Sequence, residues 1–183
     1  MAIQGKYNGR NTDIKSTSDG ELVTFSINEE AIEHAAGMGD AFSFHVTSTA
    51  IDTTDTVLFI RNDDSHLLVP DRITLNSDLS ETMTWQMRLG KAITTPSGNA
   101  LTPLNLYPTH SGKTFTHISL QDETAVAAGD LVAEYTVAAL APPLEIDIHG
   151  IILGKGQYIQ FDIVGTTPVV GMTLWAHWEK ESV

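Results

Sequence analysis

Seven histidines are the first residues in this sequence that could do chemistry. They are His34, His45, His66, His110, His117, His149 and His177. No two stand four apart and no HExxH occurs, so a helical zinc site of that kind is excluded. A sheet face that gathered His117, His149 and His177 with carboxylates would suit a small lyase or hydrolase. A surface or interface position explains each histidine more simply. Acidic residues cluster in "DTTD" (52–55), "NDDS" (62–65) and "QDE" (121–123). Calcium wants several oxygens in one loop, but "NDDSH" lacks the EF-hand order, and a tight turn accounts for it. Carboxylates are plentiful, yet nothing in the sequence pairs two across a cleft as a glycosidase requires. There is no GxSxG and no cysteine, so neither nucleophile has a signature here.

Gly154-Lys155-Gly156, within "GIILGKGQYIQFDIV", approximates a phosphate loop. A Walker loop needs Ser or Thr after the Gly-Lys pair and then a helix. Here Gly156 and Gln157 follow, and then an alternating strand, so no helix N-terminus is available for an anion. A hairpin is the expectation: strand, Gly-Lys-Gly turn, strand.

The elements that would carry these residues are strands. In "ETMTWQMRL", Met83, Trp85, Met87 and Leu89 share one face. Leu144, Ile146 and Ile148 alternate with Glu145, Asp147 and His149. Ile159, Phe161 and Ile163 oppose Tyr158, Gln160 and Asp162, while Leu174, Ala176 and Trp178 oppose Trp175 and His177. By this phase His149 and His177 face outward, Trp85 and Trp178 belong to the core, and Trp175 is the exposed or interface aromatic. Further strands are expected at 21–27, 41–49, 56–62, 66–75, 114–120 and 131–139. Turn clusters separate them, among them "NDDS", "TPSGNA", "PTHSG", "AAGD" and "GTTP". Helix is confined to "INEEAIEHAAGMG" (27–39), where Asn28 would cap and Gly37 would end it; a loop there is the alternative. Short strands at this spacing imply an all-β antiparallel sandwich, jelly-roll-like, over residues 21–183. Residues 1–20 are polar and nearly free of large apolar groups, and read as an extended N-terminal arm.

The bulk properties narrow the classes of function. The net charge of −13 repels phosphates, which disfavours nucleic acid as a partner. No apolar run approaches membrane-spanning length, so no membrane partner is expected. The first residues lack a signal-peptide core, which argues against export by that route. No cofactor or metal is expected.

The opening "GKYNGRNTDIKSTSDGELVTFS" resembles the N-terminal region of small structural proteins of tailed bacteriophages. "TVLFIRNDDSHLLVPDRITL", "TPSGNALTPLNLYPTHSG" and "LEIDIHGIILGKGQYIQFDIV" fit the same type. The resemblance covers most of the chain. It implies a virion component of capsid-decoration or minor-head type, not an enzyme, assembled in the host cytoplasm. Its partners would be itself, as a homotrimer, and the major capsid protein. In that reading Lys6, Tyr7, Asn8 and Arg10 of the arm contact the capsid, and Trp175, His177 and Tyr158 form the interface. The alternative is a module of a head fibre or tail that binds glycans or a host receptor. It would need Trp175 or Tyr158 turned to solvent as a stacking platform.

Overall fold

In the computed structural model the described residues are 3–7, 10–16, 22–23, 31–47, 56–77, 82–91, 98–107, 113–123, 129–139, 141–164 and 169–180. The chain divides into two units, Met1–Glu30 and Ala31–Val183.

In the first unit β1 (Ile3–Tyr7) pairs antiparallel with β2 (Arg10–Ser16), from Ile3 opposite Ile14 to Tyr7 opposite Arg10. The short β3 (Leu22–Val23) then pairs with β2. Residues read from sequence as an extended arm are therefore paired with one another. Leu22 and Val23 join them, although residue 21 looked like the start of the sandwich. A backbone ladder needs no apolar side chains, which is why composition did not reveal this one.

The second unit opens with α1 (Ala31–Met38), so the short helix is the alternative realised. Gly37 does not end it. Gly39 does, with φ of 77°, and the Asp40 and Gly39 N–H groups donate to the Ala35 and Ala36 carbonyls. That is a Schellman motif, whose left-handed position suits glycine. The proposed cap, Asn28, lies outside the described residues, as do residues 48–55 with the "DTTD" cluster.

The strands that follow are β4 (Ala41–Thr47), β5 (Thr56–Asn62), β6 (Leu67–Ser77), β7 (Met83–Lys91), β8 (Asn99–Ala100) and β9 (Leu104–Asn105). Then come β10 (His117–Glu123), β11 (Asp130–Val137), β12 (Leu144–Asp147), β13 (Gln157–Val164) and β14 (Val170–Glu179). Sheet I has the order β11-β7-β13-β5-β10-β8, and sheet II has β12-β6-β14-β4-β9. Successive strands from β4 to β7 alternate between the sheets, and so do β11 to β14. The two nested sets, β11-β7-β13-β5 and β12-β6-β14-β4, are the strand order of a jelly roll. The segment between β7 and β11 supplies β8, β9 and β10, which extend both sheets past β5 and β4.

The sheets pack face to face over Trp85, Met87, Phe161, Ile159 and Ile60 from sheet I and Phe44, Ile73, Leu75, Met172 and Leu174 from sheet II. The period-two reading of β7 holds, with Met83, Trp85 and Met87 buried. In β13 it holds for one face only. Tyr158 and Gln160 are buried as well, because Tyr158, Phe59 and Leu120 form a second small apolar cluster.

The Gly154–Gly156 segment is a turn but not a hairpin. Leu153 bridges to Leu68 of sheet II, whereas β13 lies in sheet I. The turn therefore carries the chain from one sheet to the other. Gly156 has φ of 79°, and the Gly154 N–H donates to the Gln157 side chain at 2.6 Å. Gly156 stands at the position a phosphate loop gives to Ser or Thr, and Gln157 after it closes the turn on itself.

Candidate functional site

The strand register builds one surface from the sequence. Residues directly opposite in antiparallel strands project to the same face. On the outer face of sheet II, Leu104 stands opposite Ser43, Ser43 opposite Trp175, Trp175 opposite Arg72, and Arg72 opposite Asp147. This row crosses β9, β4, β14, β6 and β12. Leu104 is 67% exposed, Trp175 is half-buried, and Arg72 reaches Asp147 at 3.2 Å. The next row is polar: His45, Thr173, Thr74 and Glu145. The His45 ring bonds the Thr173 hydroxyl at 2.8 Å. An aromatic ring and a guanidinium side by side, with an exposed leucine in line and polar side chains alongside, can stack, hydrogen-bond and exclude water. Trp175 thus takes the place the alternation assigned to it.

His177 lies on the same strand face but is buried, not outward-facing; only 2% of its side chain is exposed. Nδ1 is 2.7 Å from Asp71 Oδ2, and Nε2 is 3.0 Å from Glu179 Oε1. The reason is a β-bulge. Trp175 pairs with Arg72 while Ala176 pairs with Pro70, so Asp71 is an extra residue in β6. The bulge resets the buried phase from Leu68 and Pro70 to Ile73 and Leu75, and turns Asp71 onto the imidazole. Sequence reasoning missed Asp71. Two signals were present: a proline inside a central strand, and apolar residues changing phase across it. Burial disfavours the charged ring, but hydrogen bonds to Asp71 and then Glu179, with their charges, outweigh it and raise the His177 pKa.

Tyr158 is likewise buried, with its ring over Gly90 and 5.0 Å from Phe59. Burial, then the Asp162 and Asp130 charges, raises its pKa. Buried within this chain, Tyr158 and His177 have almost no surface to offer a partner, which corrects their outward placement. Near Tyr158 the Asp162 carboxylate accepts from Thr56 Oγ1 at 2.7 Å and from the Gln160 amide, and it pairs with Arg88 at 3.1 Å.

The three-histidine constellation does not form. His117 is half-buried, its ring edge-on to Phe44 and tilted against Trp178, both core residues. His177 is on the opposite face of β14, and His149 is exposed. The Asp71 and Glu179 carboxylates sit at opposite ends of the His177 ring and do not converge on one point. Among the described residues no group of three His, Asp or Glu is arranged to hold a metal ion. His110 and the His34 side chain lie outside the described residues.

The "NDDS" cluster is a turn, as expected. Asn62 donates to the His66 and Leu153 carbonyls, each at 2.7 Å. Burial alone would raise the Asp64 pKa. The Thr116 and His66 N–H groups and the His66 ring overcome that and hold this carboxyl well below the usual range.

Of the capsid-contacting set, Lys6 and Tyr7 lie in β1 and Arg10 in β2, with Lys6 opposite Asn11 and Tyr7 opposite Arg10. Asn8 falls between the strands, outside the described residues. No family model matches this chain, and no curated protein matches its sequence.

Proposed function

We propose that this chain is a non-enzymatic structural protein of a tailed-phage virion, which decorates or stabilises the outer capsid surface. In this reading it self-associates as a homotrimer and docks on the major capsid protein. The observation that carries the reading is the outer face of sheet II. Trp175 and Arg72 are of the residue types that anchor protein interfaces, and the exposed Leu104 lies in the same row, two strands from Trp175. A jelly roll bearing a separate small N-terminal unit supports it as a scaffold, although the fold by itself hosts many functions. The test is a Trp175→Ala variant, examined by light scattering and by co-sedimentation with undecorated capsids. Loss of trimer or of capsid binding, with the melting curve retained, supports the reading. Full retention of both removes this face from the mechanism.

One observation favours a second reading. Trp175 is bordered by groups that donate and accept hydrogen bonds, as a sugar-stacking platform is. A glycan screen with Trp175 fluorescence separates the two: saturable binding by a monomer selects a glycan-binding module of a fibre or tail.

A further inference from the structure

We propose that His177, Asp71 and Glu179 form a pH-responsive clasp that fastens the end of the last strand, β14, and releases it in alkali. The clasp stands independently of what the outer face binds.

Both ring nitrogens of His177 face carboxylate oxygens, at 2.7 Å and 3.0 Å. A neutral imidazole has one N–H and satisfies one of them; the other nitrogen would then present a lone pair to an anion. Only the doubly protonated ring serves both. The bulge in β6 exists at the residue that supplies one partner, and it aims Asp71 across the strand gap. The Asp71 carbonyl also accepts the Ile148 N–H at 3.0 Å, which ties the bulge to the residue after β12.

The surrounding charges agree. On β6, Arg72 next to Asp71 is engaged by Asp147 of β12. On β4, Ala41 stands opposite His177, and Asp40 just before it pairs with Lys113 at 2.6 Å. His45, farther along β4, bonds Thr173. Beyond Glu179 comes the exposed Lys180, and beyond Ile148 the exposed His149. Helix α1, which packs against β4 and β14, carries Glu33 and His34. Among the described residues, Asp71 and Glu179 are thus the groups within hydrogen-bond reach of the imidazolium.

On deprotonation the ring keeps one proton. The Asp71 side chain is 11% exposed and that of Glu179 is 51% exposed. Asp71 retains the bond, because the buried carboxylate loses most by going unpaired. Glu179 is released to water, and the terminal pairing of Glu179 with Leu67 loses its side-chain support. The raised folded-state pKa sets the direction. The stabilisation is complete below the unfolded histidine value of about 6.5 and is lost as pH rises through the folded value.

The direct test is an NMR titration of the His177 ring in the full chain, alongside amide exchange at Trp178 and Glu179. Two protonated ring nitrogens at pH 7, and faster Glu179 exchange once the ring titrates, are expected. Glu179→Gln keeps the buried pair and should shift the titration to lower pH. His177→Gln should abolish the extra fall in melting temperature between pH 6.5 and 9. A ring already neutral at pH 6.5 overturns the clasp, as do parallel melting profiles for the parent and His177→Gln.

Discussion

Single side chains set the local stakes, and Trp85 is the largest of those fully buried. Trp85→Ala is expected to cost about 3–5 kcal/mol in urea unfolding, the usual range for a large aromatic cut from a core. Among the described residues its indole N–H has no hydrogen-bond partner. Trp85→Phe removes that orphan donor with most of the volume kept, so its loss should be distinctly smaller. At the other extreme is Asp64, a carboxylate held by two backbone N–H groups and a ring. Its folded pKa is depressed, so its stabilisation is present above the unfolded value of about 3.9 and disappears as pH falls. Asp64→Asn should cost about 1–3 kcal/mol at pH 7 and flatten the acid limb of a pH–stability profile. Trp85 was legible in the sequence because its neighbours alternate. His177 was misplaced because a partner that holds its ring, Asp71, comes from another strand.

At the scale of the elements, alternation revealed β7 and β14 because each buries one face and leaves the other less covered. For β13 it held on one face only, because a second cluster covers Tyr158, and β6 was expected as a strand but without the bulge that changes its phase midway. The Gly-Lys-Gly turn was visible, but not which sheet each flank joins, since pairing is a long-range property. Two glycines carry element-level constraints that can be tested. A Cβ at Gly90 would lie 2.5 Å from the Tyr158 ring. Gly90→Ala should therefore displace Tyr158 and cost about 1–3 kcal/mol, as overpacking does. Gly39→Ala, at the left-handed helix end, should cost about 1 kcal/mol and leave the sandwich intact. Thermal melts followed by near-ultraviolet circular dichroism read both.

For the whole molecule, the spacing of strands and turns was enough to infer an antiparallel, jelly-roll-like sandwich, while the order of strands within each sheet needed the register. The N-terminal unit has its own ladder, and the core residues described for the sandwich belong to the second unit. Deleting residues 1–30 is therefore expected to leave the melting temperature of the remainder within a few degrees, and to weaken capsid attachment if that unit contacts the capsid. The central claim concerns assembly through the outer face of sheet II. It is tested most directly by the solution mass of the full chain, measured by light scattering at low micromolar concentration beside Trp175→Ala. The account predicts a stable trimer for the parent and a lower mass for the variant. A monomeric parent, or a trimer indifferent to Trp175, would contradict it.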